Sequence, residues 1–159
     1  MAGAPTPAIA ALIRAKISHT VRTYDHDPRV KAFGDEVVAA LGQDPARVFK
    51  TLVASVDGAL VVAVVPVASH LDLKALAAAV GGKKATMAAI AEAERSSGYV
   101  AGGISPVGQR KVLRTIVDAG AQNFLTIFVS AGRRGLQVEL TPADLVTVCK
   151  ATVAPVATT

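Results

Sequence analysis

The sequence predicts an α+β fold, a single domain in which a mixed, largely antiparallel sheet is surrounded by helices. Three observations carry this. The 159-residue chain fits one domain and shows no repeat, low-complexity block or interdomain linker. The segments Val48 to Val56 and Leu60 to Val67, joined at Asp57-Gly58, form its strongest hairpin signal. Helical apolar spacing then interleaves with paired strand runs, so neither a repeating strand–helix–strand period nor an all-β pattern holds.

Taken in order, Thr6-Pro7 reads as an N-cap with proline at the first helical position, and Ala8, Ile9, Leu12 and Ile13 give the helix its apolar face. Ile17 to Tyr24 alternates as a strand. Phe33-Gly34-Asp35 precedes a helix carrying Val37, Val38 and Leu41, which Gly42 stops. In the hairpin, Leu60 to Val65 is apolar on both faces, the mark of a central strand. Leu71-Asp72-Leu73 opens a helix running through Ala79 and closed by Gly81-Gly82, and an alanine-rich helix is expected over Met87 to Glu94. Tyr99 to Gly108, rich in Gly, Ser and Pro, reads as a loop flanked by short strands. Val112 to Asp118 and Leu125 to Ser130 are strands, Gly132 to Gly135 a turn, and Leu136 to Leu140 a further strand. Thr141-Pro142 caps a last helix. The single domain spans 1–159 with its core over about 6–150, and the tail after Pro155 is expected to fray.

Hydrophobic residues make up 52% of the chain while aromatics reach only 4% with no Trp, so aliphatic packing must fill the core. A domain of this size buries roughly 68–70% of the surface of its unfolded chain. The scarcity of rings argues against a base-stacking platform for single-stranded nucleic acid. The formal net charge of +5 is compatible with a polyanionic partner without requiring one. Its basic residues are dispersed, with pairs at Lys83–Lys84, Arg110–Lys111 and Arg133–Arg134. One cysteine, Cys149, excludes an internal disulfide and a cysteine-based metal site, which fits a reducing compartment. Met1 to Pro7 lacks the pattern of a signal peptide, and Leu60 to Val67 is too short to span a membrane. A soluble, cytoplasmic protein is expected.

Phosphate-binding glycine signatures, Gly-x-Ser-x-Gly elbows and His-Glu-x-x-His are missing. His19, His26 and His70 lie at no metal-like spacing and read as surface or strand-end side chains. Cys149 reads as a small core residue rather than a nucleophile. Three features remain. Lys50 interrupts the core-like run Val48-Phe49-Lys50-Thr51-Leu52: it is either an outward lysine with its stem along the sheet, or a cation lining a cleft and ready to hold an oxygen. Gly102-Gly103-Ile104-Ser105-Pro106-Val107-Gly108 lets backbone N–H groups approach a ligand closely, although alone it is an ordinary loop. Ser130 with Gly132, Arg133, Arg134 and Gly135 forms a basic turn that alone would be a solvated connection.

In combination these segments resemble the YbaK/EbsC family of trans-editing proteins, related to the editing domain inserted in bacterial prolyl-tRNA synthetases. The likeness runs from Thr6-Pro7 to about Lys150. It rests on Tyr24-Asp25-His26-Asp27-Pro28, Phe33-Gly34-Asp35-Glu36-Val37-Val38, Val48-Phe49-Lys50-Thr51-Leu52, Leu71-Asp72-Leu73-Lys74, Gly98-Tyr99, Gly102-Gly103-Ile104-Ser105-Pro106 and Arg134-Gly135-Leu136. The chain is most similar to the Cys-tRNA deacylase branch. The resemblance implies that Lys50 is the indispensable pocket residue, and that Tyr24, Thr51, Gly102, Gly103, Ser105 and Ser130 help receive the aminoacylated CCA end. Where this chain has Gln137, the branch often carries an acid; Glu139, on the same sheet face, is the nearest substitute.

The resemblance further implies cleavage of cysteine from Cys-tRNA(Pro), and from Cys-tRNA(Cys), by attack of the substrate's own sulfur. The implied partners are aminoacyl-tRNA and prolyl-tRNA synthetase, with no cofactor, metal, membrane or DNA. Two rival readings stay open on the residues: a water-using hydrolase of Ala-tRNA(Pro) or another small aminoacyl ester, and a tRNA- or nucleotide-binding module without turnover.

Overall fold

The computed structural model of the protein describes residues 5–158. Its first half runs α1 (Pro7–Arg14), β1 (Thr20–Thr23), α2 (Phe33–Leu41), β2 (Phe49–Val56), β3 (Ala59–Pro66), β4 (His70–Leu71) and α3 (Leu73–Ala79). The second half runs β5 (Ala85–Met87), α4 (Ile90–Ser97), β6 (Arg114–Asp118), a 3-10 turn (Ala119–Asn123), β7 (Ile127–Arg133), β8 (Leu136–Leu140), α5 (Pro142–Cys149), β9 (Thr152–Ala154) and β10 (Ala157–Thr158). Five strands lie in the order β5-β2-β3-β6-β9, three in the order β1-β8-β7, and β10 pairs with β4. The β3–β6 and β6–β9 ladders are parallel. All other ladders are antiparallel. The expected α+β architecture, mixed and largely antiparallel, is therefore present.

The β2–β3 hairpin turns at Asp57 (φ 51) and Gly58 (φ 88), two successive positive values that match the right-handed twist of the strands. The Asp57 carboxylate then accepts the Lys83 and Lys84 backbone N–H groups at 2.8 and 2.9 Å, tying the approach to β5 to the same corner. Strand β3 is central, as its two-sided apolar pattern predicts. Val62 and Val64 pack with α1, α5, β7 and β8. Val61, Ala63 and Val65 pack with Leu76 and Ala77 of α3 on the opposite face. Each such valine, fully buried, contributes about 1.5–3 kcal/mol. Thr6 caps α1 by accepting the Ile9 N–H at 3.2 Å, and its hydroxyl donates to the Ala131 carbonyl of β7.

Four expectations are corrected. Met87 to Glu94 is not one helix: Ala85–Met87 is a strand on the edge of β2, and the helix starts at Ile90. Alanine's helical preference yields there to a ladder with Ala54–Val56, a nonlocal contact. The Tyr99–Gly108 loop follows α4 rather than a strand. The turn is confined to Arg134-Gly135, because β7 continues through a bulge between Ser130 and Arg133. Nor does the tail fray over the described residues 156–158, Thr159 lying outside them. Val156 is fully buried, and the Asp118 carboxylate accepts N–H groups from Val156 at 2.9 Å and Ala157 at 3.1 Å, so the core extends past 150.

Two sheets meet where Val48 and Phe128 form a parallel bridge, with the Phe128 N–H donating to the Arg47 carbonyl at 3.1 Å. Beyond that bridge β2 leaves β7, and it regains a neighbour on that side only where the Ala88 N–H reaches the Val53 carbonyl at 3.1 Å. The gap between the strands is the site.

Candidate active site

A cavity of about 310 Å³ fills this gap. Phe49, Lys50, Thr51 and Leu52 of β2 form one wall, and Ser130 of β7 with Gln137 of β8 forms another. Phe33 and Val37 of α2 and the Ala101–Gly102 corner close it, while Met87 and Ile90 stand at its mouth, 49% and 67% exposed. Its size lies at the lower end of small-molecule sites, roughly 300–1,000 Å³.

Strand alternation puts Val48 and Lys50 on the face of β2 turned away from the main core, and Phe128 and Ser130 on the corresponding face of β7. Because Ser130 pairs with Gln137 and Phe128 with Glu139, two rows of side chains cross the sheets. The first row is Val48, Phe128 and Glu139. The second is Lys50, Ser130 and Gln137.

In the first row every charge is matched. Glu139 takes Arg22 at 2.8 Å, Arg47 at 2.9 Å and the Thr126 hydroxyl at 2.6 Å. The Thr126 and Arg22 hydrogen bonds hold its carboxyl below the usual range against the cost of burial. Arg47 also donates to the Thr126 carbonyl at 2.8 Å and lies over the Phe128 ring, 4.9 Å from its centre.

The second row is unmatched. Lys50 is half-buried and enters none of the ion pairs among the described residues. Burial lowers its pKa, and the nearby Asp35 charge only partly opposes this. Among the described residues three buried side-chain polar atoms lack a partner, and two of them, Thr51 Oγ1 and Gln137 Oε1, belong to the cavity wall. The third is His26 Nε2, whose ring binds Glu36 at 2.6 Å through Nδ1. His26 is therefore a structural pin between the Tyr24–Pro28 segment and α2 rather than a surface side chain.

The glycine loop earns its composition through packing. A Cβ on Gly102 (φ +84) would meet the Phe33 ring and Arg134 Nε at 2.9 Å, and one on Gly103 would stand 2.6 Å from Arg133 Cα. Arg134 lies over Phe33, 4.8 Å from the ring centre, and donates to the Ala101 carbonyl at 2.7 Å, forming part of the rim. The Tyr99 hydroxyl holds the far end of the loop through the Val107 carbonyl at 2.7 Å, and burial pushes its pKa up to about 12.

Of the residues singled out by sequence, the structure brings together Lys50, Thr51, Gly102 and Ser130 in the cavity wall. Ser130 Oγ accepts the Gly132 N–H at 3.2 Å, which leaves its proton to donate. Tyr24, Gly103, Ser105 and Glu139 are outside that wall. Tyr24 packs behind Val37 and Val48, and burial raises its pKa. Ser105 is fully buried, its hydroxyl accepting the Val107 N–H at 3.1 Å within the loop. Phe33, Met87 and Ile90 are cavity residues to which the sequence reading gave no site role, and Gln137, for which it substituted Glu139, is the member of that pair that lines the cavity; its pairing with Ser130 follows from strand register once the bulge is known. Cys149 is no nucleophile for this site: burial pushes its pKa up to about 12 and its thiol donates to the Pro106 carbonyl at 3.3 Å. The lining holds no Asp, Glu, His, Cys or Tyr.

A cation, a glycine-built rim and a lining without carboxylate, imidazole or thiol describe a site able to bind and polarise a carbonyl-bearing group. Residues 27–148 match the family model described as the aminoacyl-tRNA editing domain. The chain belongs to the aminoacyl-tRNA editing family. A relative in Enterococcus faecalis (strain ATCC 700802 / V583), provisionally named Cys-tRNA(Pro)/Cys-tRNA(Cys) deacylase EbsC, is 40% identical over 125 residues, covering 78% of this chain and 76% of the relative. The editing domain also superposes on a crystal structure titled as a provisional trans-editing enzyme for prolyl-tRNA synthetase, with TM-score 0.85, 22% identity and 96% of each chain covered. A crystal structure of a hypothetical protein gives TM-score 0.86 at 22% identity, over 96% of this editing domain and 99% of the other chain. At such identity these two likenesses speak to the fold. Among the described residues no helix is long and apolar enough to cross a membrane.

Proposed function

We propose that this editing domain removes cysteine from mischarged Cys-tRNA(Pro), and from Cys-tRNA(Cys), acting in trans beside prolyl-tRNA synthetase. The observation that carries the reading is a cavity with one unpaired cation, Lys50, and no carboxylate, imidazole or thiol in its lining. The name of the 40%-identical relative supports the choice of cysteine.

In this mechanism the substrate supplies its own nucleophile. A few per cent of a free thiol is thiolate at neutral pH and strongly nucleophilic. The cysteinyl sulfur attacks the ester carbonyl carbon, a C–S bond forms, and negative charge gathers on the carbonyl oxygen. Lys50, with Ser130 and the backbone at Gly102, binds that oxygen. The C–O bond to the terminal ribose then breaks, the electron pair leaves with the ribose oxygen, and the proton lost by the thiol ends there. The product is a cyclic thiolactone, which water later opens to cysteine. Orientation inside the cavity can supply roughly 7–11 kcal/mol of such an intramolecular barrier.

Product analysis of Cys-tRNA turnover, beside the rate for Ser-tRNA, tests the reading. Thiolactone release with seryl ester cleaved far more slowly is expected, making the enzyme formally a lyase. Direct release of free cysteine, with serine removed equally fast, would instead mean that bound water attacks and that the enzyme is a hydrolase. Arg133 and Arg134 lie beside the rim, whereas Lys83 and Lys84, whose backbone N–H groups donate to Asp57, stand at the far end of β2, ~20 Å from Lys50 at strand rise. Contacts to tRNA phosphates near the CCA end are assigned to the first pair.

A further inference from the structure

The cavity offers donors in Lys50 and the Ser130 hydroxyl, yet the unpartnered buried atom in their own row is Gln137 Oε1, an acceptor; Thr51 Oγ1, the other orphan of the wall, belongs to the opposite face of β2, beside Val64. Gln137 is only 4% exposed. A buried carbonyl with no donor costs about 1–3 kcal/mol, and that cost is recovered when a ligand brings an N–H. Gln137 is also fixed in place: it is held in register against Ser130 on one side and Arg22 on the other. Rotation about its terminal torsion, broad for an amide, is all that is needed to swing the carbonyl onto a ligand.

Resting on the deacylase reading above, we propose that Gln137 is the acceptor site for the substrate's α-amino group. The aminoacyl end has two polar handles besides its side chain. Its carbonyl oxygen seeks donors and is matched to Lys50 and Ser130. Its amino group carries N–H bonds and finds no carboxylate on the cavity wall. The acid nearest in the sheet, Glu139, is consumed by Arg22, Arg47 and Thr126. Asp35, whose charge bears on Lys50, is outside the cavity wall, so the acceptor that the wall itself supplies in this row is the uncharged Gln137. This site tells an aminoacyl ester from an acyl ester lacking the amine. It does so by hydrogen bonding rather than by charge, so it adds no second cation–anion pair beside Lys50.

Binding of two non-hydrolysable probes tests this independently of turnover: adenosine carrying cysteine through a 3′-amide, and the same molecule with 3-mercaptopropionate, which lacks the amine. Wild-type protein is expected to bind the cysteinyl probe about 5- to 150-fold more tightly. Gln137→Leu should bring that ratio close to one while leaving affinity for the desamino probe unchanged. Gln137→Met serves if the Leu variant does not fold, and Thr51→Val, on the opposite face of β2, should leave the ratio unchanged. Gln137→Glu should retain the preference. Equal binding of both probes by wild-type protein overturns the proposal, as does a Gln137→Leu variant that loses both probes equally. If wild type binds the probes with the expected preference but cleaves no Cys-tRNA, the amine site stands and the deacylase reading falls. If neither probe binds, both fall.

Discussion

Glu139 and Gln137 stand two residues apart on β8 and face the same side of the sheet, yet their surroundings are opposite. Around Glu139 two guanidiniums and a hydroxyl converge, and Arg47 adds a ring contact with Phe128. Around Gln137 and Lys50 the protein leaves partners out. One row spends its polar groups on each other and holds the β1-β8-β7 sheet to β2. The adjacent row leaves its polar groups unpartnered, as the proposed ligand site requires. Site and scaffold are thus separated by a single step of the pleat, and each row can be altered with little effect on the other.

The largest expected effect comes from the unmatched row. Lys50→Ala should lower kcat/KM for Cys-tRNA deacylation by about 10²–10³-fold, the scale of removing one preorganised electrostatic partner. Retention of near wild-type activity would remove Lys50 from the mechanism. Lys50→Met should abolish activity and still raise Tm slightly at neutral pH. Because burial depresses the folded pKa of Lys50, its charge destabilises the fold fully below that pKa. This penalty fades as pH rises toward the unfolded value, so the advantage of Met should shrink in alkali.

The matched row should show the reverse. Glu139→Gln is expected to cost about 1–3 kcal/mol in urea unfolding, by stranding Arg22 and Arg47, with kcat/KM changed no more than a few-fold. The carboxyl of Glu139 is held below its unfolded value, so its contribution is complete above roughly pH 4.3 and disappears as pH falls through the lower folded value. The stability gap between wild type and variant should close over that acid range. A constant gap would mean packing, not charge, is responsible.

Smaller effects sharpen the boundary between the rows. Arg134→Ala should reduce the salt dependence of tRNA binding by roughly 0.7 log units per log unit of salt, if its contact is one phosphate of the single-stranded end. An unchanged slope would remove Arg134 from the tRNA path. Cys149→Ala should leave deacylation within about two-fold, since its pKa near 12 and its bond to Pro106 keep it out of the chemistry.

Much of the fold was legible because its signals are local. Thr6-Pro7, Asp57-Gly58, Asp72 and Thr141-Pro142 each name a cap or turn that one short segment decides. Met87, expected to begin a helix, and the tail after Pro155 were misread because their partners are remote: β5 depends on Ala54–Val56, and the tail on Asp118. At the site, Lys50 stood out as a cation among core residues, and Gly102 as half of a glycine pair. Gln137 and Glu139 could not be ranked from sequence. What separates them is the arrival of Arg22 and Arg47 from other strands, and no spacing within β8 encodes that.

The Asp57-Gly58 turn also sets a timetable. Its two strands meet after closing a loop of a few residues, an event of about 1–10 μs. The β3–β6 ladder instead joins Val61–Val64 to Arg114–Val117 across about 50 residues, and that crossover contains β5, α4 and the glycine loop. This separation predicts that Lys50 and Thr51 are aligned on a formed hairpin before the walls of their cavity close over them. Substituting Gly58 should slow refolding, whereas substituting Gly103 should mainly hasten unfolding, a contrast that stopped-flow chevrons resolve. The cation is in place before there is a cavity to hold it.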